Sequence, residues 1–225
     1  MSNLSTPRAP NVVRISTSTA LVLLLFTLVF TALMAATYQF TKPTIDANAL
    51  AAKLDLIGSV LAPAAYDNDL LKDSVDLPAT PELGTDGPSR VYRARKGGTP
   101  AALVLEAAAP DGYSGRIELL IAVRASGELA AVRVTGHRET PGLGDYIDPK
   151  KDKNKQHPWI RQFDDLGFDR VKREEWRVKK DGGRFEARAG ATISARAVTN
   201  AVGRALQFAL DNRERLFAAK QQEKL

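Results

Sequence analysis

Three residues just before a long amphipathic segment are suited to binding a phosphate group. Gly190, Ala191 and Thr192 lie between a short hydrophilic stretch and an apolar pattern of helical period. The glycine lets the backbone approach a ligand closely, and the first turn of a following helix presents unpaired N–H groups and the positive end of its dipole. Thr192 would then lie at an anion site. The competing interpretation is that Thr192 only caps the helix.

A second segment, residues 139–144 with the sequence Glu-Thr-Pro-Gly-Leu-Gly, has the composition of a tight turn. Pro141 fixes one φ angle, and Gly142 and Gly144 allow φ values that are closed to other residues. Such a loop is expected to expose backbone amides, which bind anions. It lacks the third glycine of a dinucleotide fingerprint and the Gly-Lys-Ser/Thr ending of a P-loop. It is therefore neither of these nucleotide motifs.

The composition excludes several kinds of site. The chain has no cysteine, so disulfides, thiolate metal sites, iron–sulfur clusters and cysteine nucleophiles are absent. Its two histidines, His137 and His157, show none of the spacings of histidine metal motifs. We therefore predict no metal site and no catalytic residue, and any redox chemistry requires a bound organic cofactor.

The net charge of +6 is spread too evenly to indicate a nucleic-acid partner. One segment, residues 150–180, is locally basic, with 11 Lys or Arg against 6 Asp or Glu. This segment could face anionic lipid head groups or an acidic partner subunit. A solvated loop is the favoured interpretation, because runs of charge usually only solvate a surface.

The 27 residues between Arg14 and Lys42 carry no charge and are strongly apolar. As a helix they would be about 40 Å long, which is enough to cross a hydrocarbon core of about 30 Å. A cleaved signal peptide is the alternative, but the apolar stretch is too long for a typical one. The short basic tail favours a cytoplasmic N-terminus. The prediction is a cytoplasmic tail over residues 1–14, a transmembrane helix over 15–41 and a periplasmic domain over 42–225.

The remaining chain mixes helical and strand patterns. Apolar residues at helical spacing predict a stalk helix over about residues 43–62, which Pro63 should end. Residues 116–136 alternate apolar and polar side chains on either side of a Ser-Gly turn, which predicts a β-hairpin. Two shorter strand candidates are residues 91–95 and 103–107.

A loop and a C-terminal helix complete the predicted fold. Residues 80–89 are rich in Pro, Gly and Asp and are expected to form a loop with nothing to bury. The segment after Thr192 has an apolar stripe at helical spacing, which predicts an amphipathic helix packed on a sheet. The stripe consists of Ala195, Val198, Val202, Ala205, Leu206 and Ala209. The predicted class is α+β, with a mainly antiparallel sheet and packed helices behind one transmembrane helix.

Both candidate segments resemble motifs of the FMN-binding subunits of bacterial Rnf complexes and of sodium-pumping quinone reductases. Gly-Ala-Thr before an Ala/Val-rich helix resembles their flavinylation motif, and residues 139–144 resemble their Glu-Thr-Pro-Gly-Leu-Gly loop. Further similarity to the G-type subunit of Rnf complexes covers residues 66–71, 112–115 and 181–183. Before Gly-Ala-Thr, that family usually has an acidic residue, commonly Asp, and then Ser or Thr. This chain has Glu186, which keeps a carboxylate, and Ala189, which lacks the hydroxyl.

The resemblance implies one covalent FMN per chain, held by a phosphoester to the hydroxyl of Thr192. A flavin transferase would attach it, because the sequence shows no base beside this threonine. Glu139 would orient the loop or contact the flavin, and an exposed turn carboxylate is an equal alternative. The implied flavin-binding residues besides Thr192 are Gly190, Ala191, Glu139, Thr140, Gly142, Leu143 and Gly144. Aromatic candidates for stacking, for which a place in the core is favoured, are Tyr113, Tyr146, Trp159 and Trp176.

The resemblance also implies a role in a larger assembly at the bacterial inner membrane. Such a chain is a single-pass electron carrier, a redox subunit of a translocase and not an independent enzyme. Its partners are membrane lipid and the other membrane and redox subunits of an Rnf complex, which couples electron flow between ferredoxin and NAD to ion movement. Two alternatives remain open: a carrier like the C-type subunit of the sodium-pumping quinone reductase, and a structural assembly subunit without covalent flavin.

Overall fold

A computed structural model describes residues 12–225 and begins with one long helix, α1 (Val12–Gly58). This helix is long and apolar enough to cross a membrane. It contains the predicted transmembrane segment and most of the predicted stalk without a break, with Pro43 inside, and it ends before Pro63. The chain divides into two compact units between Lys53 and Leu54. Residues 1–11 of the predicted cytoplasmic tail lie outside the described part.

The second unit is built on a six-stranded sheet of order β5-β4-β3-β2-β1-β6. Neighbouring strands are antiparallel, except that β6 runs parallel to β1. Two helices follow the fifth strand in the chain, α2 (Thr192–Asp211) and α3 (Arg213–Ala218). The sheet and helices confirm the predicted α+β class. The strands are β1 (Ser74–Leu77), β2 (Ser89–Lys96), β3 (Thr99–Ala109), β4 (Ile117–Arg124), β5 (Leu129–Gly136) and β6 (Glu223–Lys224).

Two hairpins form four adjacent strands of the sheet. The predicted hairpin over residues 116–136 is confirmed as β4 and β5, joined by a turn in which Gly127 has φ +98°. The two shorter strand candidates are the middles of β2 and β3, whose connection places Gly97 and Gly98 at positive φ. Two successive positive φ values suit the right-handed twist of a hairpin.

Both faces of the sheet are covered, which makes it the centre of the core. Ile117, Leu119 and Ile121 of β4 belong to the cluster that contains the apolar stripe of α2, as the sequence predicted. The alternate residues Leu120 and Ala122 pack on the other face, in a second cluster to which the end of α1 contributes. Period-two alternation therefore separates two hydrophobic faces in this strand.

The loop over residues 80–89 differs from its prediction. It holds a short 3₁₀ turn, Pro81–Leu83, and the side chain of Leu83 is buried in the core. Thr80 and Thr85 are hydrogen-bonded to each other through side-chain and backbone atoms. The expectation that this loop buries nothing is therefore wrong, because one leucine among the turn residues anchors it.

The segment between β5 and α2 has no long regular element, but it is packed by aromatic rings. Its 3₁₀ turns are Gly144–Ile147, Trp159–Phe163, Arg173–Glu175 and Lys179–Asp181. Rings in contact run from Tyr146 through Trp159, Phe163 and Phe185 to Trp176. The lysines of the basic segment point outward while these rings are buried. The segment is thus a packed layer as well as a charged surface.

Candidate functional site

The two segments singled out in the sequence meet in one pocket. The loop after β5 and the start of α2 enclose a volume of about 300 Å³. Six of the eight predicted binding residues line it, and Gly142 and Thr192 lie just outside the lining. The complete lining is Tyr113, Glu139, Thr140, Leu143, Gly144, Gly190, Ala191, Ile193 and Ser194.

Glu139 joins the two segments. Its side chain is only 4% exposed, so the alternative of an exposed turn carboxylate is wrong. The Ser194 hydroxyl donates a hydrogen bond to Oε2 over 2.6 Å, and the Ser114 amide donates to Oε1 over 3.1 Å. Within residues 12–225 this carboxylate has no ion pair with a lysine or arginine. A buried acid at the pocket wall is thus held by neutral donors alone.

The two loop glycines serve different purposes. Gly142 has φ +77°, which with Pro141 before it corresponds to a type II turn. Gly144 does not have a positive φ, which corrects the expectation that both glycines supply unusual backbone angles. A Cβ on Gly144 would lie 2.6 Å from both Glu139 Oε2 and Ser194 Oγ. Its role is to leave room for the bond between these two side chains.

Two of the loop's backbone amides are used inside the turn, although the composition suggested that they would be exposed. The Gly142 amide donates to Asp145 Oδ1 over 3.0 Å, and the Leu143 amide donates to the Thr140 carbonyl over 3.1 Å. These bonds close the turn on itself. A further anion-binding feature of the site is the N-terminus of α2, whose first-turn amides have no intrahelical acceptor.

Thr192 is the first residue of α2 and does not cap it. The N-cap is Ala191, and no side chain caps the helix there, so the interpretation of Thr192 as an N-cap is wrong. The Thr192 side chain is partly exposed, and its hydroxyl makes no hydrogen bond within the described chain. Gly190 precedes it at φ +81° and turns the backbone into the helix. The hydroxyl is thereby left free for another bond.

A buried polar relay holds the backbone on both sides of Gly190. The Tyr146 hydroxyl accepts from the Arg188 amide over 3.1 Å and donates to the Ala191 carbonyl over 3.2 Å. The Arg188 guanidinium lies 4.6 Å from the centre of the Tyr146 ring and pairs with Asp152, whose side chain is fully buried. The Trp159 amide donates to the same carboxylate over 2.7 Å.

The pKa of Asp152 is set by opposing effects. Burial by itself raises this pKa, but hydrogen bonds from the Trp159 and Asn154 amides and the charge of Arg188 outweigh burial and hold the pKa below its ordinary value. The carboxylate therefore stays ionised at neutral pH. It keeps Arg188, and through it the backbone around Ala191, in one position.

Glu186 and Ala189, the residues at the two pattern positions before Gly-Ala-Thr, lie outside the pocket lining. Glu186 is exposed and pairs with Lys179, while its carbonyl accepts from Trp159 Nε1 over 2.6 Å. Ala189 is exposed. The main chain of this stretch is therefore anchored without the usual hydroxyl.

Exposed apolar side chains mark the mouth of the pocket. Among residues 59–225, the large hydrophobic side chains that remain exposed are Tyr113, Leu143 and Ile193, at 67%, 53% and 44%. All three line this pocket. Of the four aromatic candidates for stacking, Tyr113 alone is here, and the other three are buried in the core. Sequence reasoning missed Ile193 and Ser194, although both directly follow the Gly-Ala-Thr motif.

Comparison with known proteins agrees with this arrangement. The model of the FMN-binding domain family matches residues 112–207, and that of the RnfG N-terminal region matches residues 11–60. The chain is 44% identical to the G-type subunit of the ion-translocating oxidoreductase complex of Pseudomonas aeruginosa, over 90% of this chain and 92% of that protein.

Two further relatives carry the same name. The protein of Photorhabdus laumondii is 43% identical over 81% of this chain and 84% of its own length. The protein of Pseudoalteromonas atlantica is 37% identical over 88% of this chain and 90% of its own length. These identities span both α1 and the sheet domain. The chain therefore belongs to the family of the G-type subunit of the ion-translocating oxidoreductase complex.

Proposed function

We propose that this chain is the membrane-anchored electron carrier of an Rnf-type complex and holds one FMN, covalently, on Thr192. The observation that carries the proposal is the pocket at the start of α2. Three exposed apolar side chains line it, and Thr192, whose hydroxyl has no hydrogen bond within the described residues, lies just outside the lining. Flavin-binding residues are those of the pocket lining, with Thr192 as the point of attachment. The chain then works as a redox subunit of a translocase and not as an independent enzyme.

The pocket residues fit the parts of FMN. Tyr113, Leu143 and Ile193 offer apolar surface to the flavin ring system. Binding of the ring would remove apolar surface of both partners from water, which is favourable. The N-terminus of α2 suits a phosphate, since its amides and dipole favour negative charge. Bound FMN would supply one-electron and two-electron transfer, and the chain's own residues would set its environment.

Thr192 needs outside help to become the attachment point. A threonine hydroxyl is a weak nucleophile at neutral pH, and no acid, base or other side chain within the described chain is hydrogen-bonded to it. Ester formation also needs an activated donor such as FAD, a phosphoanhydride. The Thr192 oxygen would bond to the FMN phosphorus, AMP would leave, and the hydroxyl proton would pass to a base on a flavin transferase.

The relatives' names and α1 support the proposed assembly and membrane location. A component of an ion-translocating complex needs other membrane and redox subunits beside it, and α1 provides a single-pass anchor in lipid. By family resemblance, the complex couples electron transfer between ferredoxin and NAD to ion movement across the membrane. We place the anchor in the bacterial inner membrane and the FMN-binding domain in the periplasm, where a chain without cysteine has no thiol to oxidise.

The test is flavin fluorescence in a denaturing gel after coexpression with a flavin transferase. Thr192→Val removes the hydroxyl at nearly constant volume, and Thr135→Val makes the same change at an exposed residue away from the pocket. We expect fluorescent bands from the unaltered chain and from Thr135→Val, and a dark band from Thr192→Val.

Each other pattern has a definite meaning. A fluorescent Thr192→Val band would show that attachment is elsewhere. A dark unaltered chain, with a transferase proven active on another substrate, would refute covalent attachment. In that case, a native protein that retains FMN would be a noncovalent carrier, and one that retains none would be the structural assembly subunit.

A further inference from the structure

A second and larger cavity lies along the later part of α2. This groove has a volume of about 800 Å³ and shares no lining residue with the pocket at the start of the helix. Residues at helical spacing form one side of it, so it follows a single face of α2 over roughly 16 Å. These residues are Asn200, Gly203, Arg204, Gln207 and Asp211.

The opposite sides of the groove come from two other parts of the fold. One is the end of β1 and the turn after it, residues 77–82. The other is the aromatic layer, through Phe168 and Trp176. Trp176 packs so closely on Gly203 that a Cβ at that glycine would collide with the indole ring. The floor is therefore apolar and firmly packed.

Four arginines line this groove, and none has an ion pair. Arg173, Arg177, Arg204 and Arg215 have no carboxylate within 4 Å among residues 12–225. Other arginines of the domain do have such partners, as Arg196 has Asp181. The lining contains only two acids, Glu82 and Asp211, and the latter accepts from the Gln207 amide. The side chains that line the groove thus carry a net positive charge, with four arginines against two acids.

The groove also contains unused hydrogen-bonding groups. Trp176 Nε1 and Gln207 Oε1 are both buried and have no partner in the described chain. Buried polar groups in native proteins are usually hydrogen-bonded, so two without a partner on the walls of one groove indicate that a bound ligand could supply the missing bonds. Small side-chain movements on binding would let a guest pair with them.

We propose that this groove binds an acidic and partly apolar polypeptide segment from another subunit of the same complex. Carboxylates of the segment would pair with the unpaired arginines, and its apolar side chains would cover Phe168 and the Trp176 wall. The open, elongated form suits a chain segment better than a compact ligand. The inference rests on the proposed membership of a complex, but it does not depend on the flavin.

The first test reverses charge in the groove of the full-length chain, expressed together with its complex. Arg173→Glu combined with Arg204→Glu is compared with Lys151→Glu combined with Lys153→Glu, two exposed lysines outside the groove. The affinity tag belongs at the N-terminus, because Leu225 lines the groove. We expect the groove variant to retain roughly tenfold less of the other subunits and the control to retain them all.

Flavin fluorescence of the same samples distinguishes failure of this inference from failure of the proposed function. If the groove variant keeps both its partners and its flavin, the docking proposal is wrong and the carrier proposal stands. If the lysine control loses the partners while the groove variant keeps them, the docking surface is the segment around residue 151. A dark flavin band in the unaltered chain would contradict covalent attachment at Thr192 and would leave the docking proposal unaffected.

The second test identifies the occupant without relying on a charge change. A photo-cross-linking amino acid in place of Asn200, on the groove face of α2, is activated in membranes that contain the complex. The expected product joins this chain to an acidic segment of another subunit, and the yield should fall with rising salt. Cross-links only to lipid, only to a second copy of this chain, or to no partner would each overturn the proposal.

Discussion

At the scale of single residues, the pocket depends on a contact between side chains that are 55 residues apart in the sequence. Ser194 donates to Glu139, and this bond ties the start of α2 to the loop after β5. Gly144 makes the bond possible by leaving space beside both oxygens. The sequence indicated all three positions as a turn and a helix start, but it could not show that they touch.

Gly144→Ala should therefore damage the pocket through sterics. The added methyl group would force Glu139 and Ser194 apart, and we expect a loss of about 1–3 kcal/mol in the free energy of unfolding. Flavin loading of the chain should fall as well. Chemical denaturation and in-gel fluorescence measure the two effects.

Gly87→Ala is the matched control. Gly87 has open space around it and no positive φ, so the same substitution should change stability by no more than about 0.5 kcal/mol. Equal effects of the two substitutions would show that crowding at Gly144 is not the cause.

At the scale of elements, regular periodicity was the reliable guide. The stripe of α2 and the β4–β5 hairpin were predictable because each buries side chains at a fixed interval. The two-residue β6 and the four-residue β1 were missed, since such short strands carry no period. β1 forms on the edge of β2, and β6 forms on the edge of β1. Leu83 was missed for a related reason, because local composition hides a single long-range anchor.

The irregular layer before α2 was the least predictable element, although it supports the site. Tyr146 and Asp152 lie close together in the sequence, Arg188 lies 42 residues after Tyr146, and the three side chains form one relay. No local pattern links them. The sequence therefore predicted which residues lie in the pocket better than it predicted what holds them there.

Asp152→Asn tests this relay through its pH dependence. The pKa of Asp152 is lowered in the fold, so its ionised form stabilises the protein above the ordinary pKa of 3.8, and this contribution is lost as the pH falls through the lowered value. At neutral pH we expect the variant to lose about 1–3 kcal/mol, since it leaves buried donors and Arg188 poorly paired.

The difference between Asp152→Asn and the unaltered chain should shrink as the pH falls below 3.8. Thermal unfolding across a pH series measures it. Asp181→Asn, which breaks a surface pair with Arg196, should have a much smaller effect. A difference that stays constant with pH would argue against an ionised Asp152 in the relay.

At the scale of the whole molecule, the chain consists of an anchoring unit and a sheet domain. The family match covers both, and α1 is the described helix that is long and apolar enough to span a membrane. If the domain is periplasmic, alkaline phosphatase fused after Leu225 should be active and a green fluorescent protein fusion at the same place should be dark.

The opposite fusion pattern would place the domain in the cytoplasm. Carbonate extraction of membranes provides the matching control, because the full chain should remain in the pellet in either orientation. Release of the chain by carbonate would instead contradict the assignment of α1 as a membrane-spanning anchor.

The two tryptophans of the chain have a practical consequence. Trp159 contacts the ring of Tyr146, whose hydroxyl bonds to Ala191 in the pocket, whereas Trp176 forms a wall of the groove. Flavins absorb light at the wavelengths that tryptophan emits, so loading should quench the intrinsic emission by resonance energy transfer. With one tryptophan at a time replaced by Phe, the protein carries a separate built-in optical reporter for each of its two candidate binding sites.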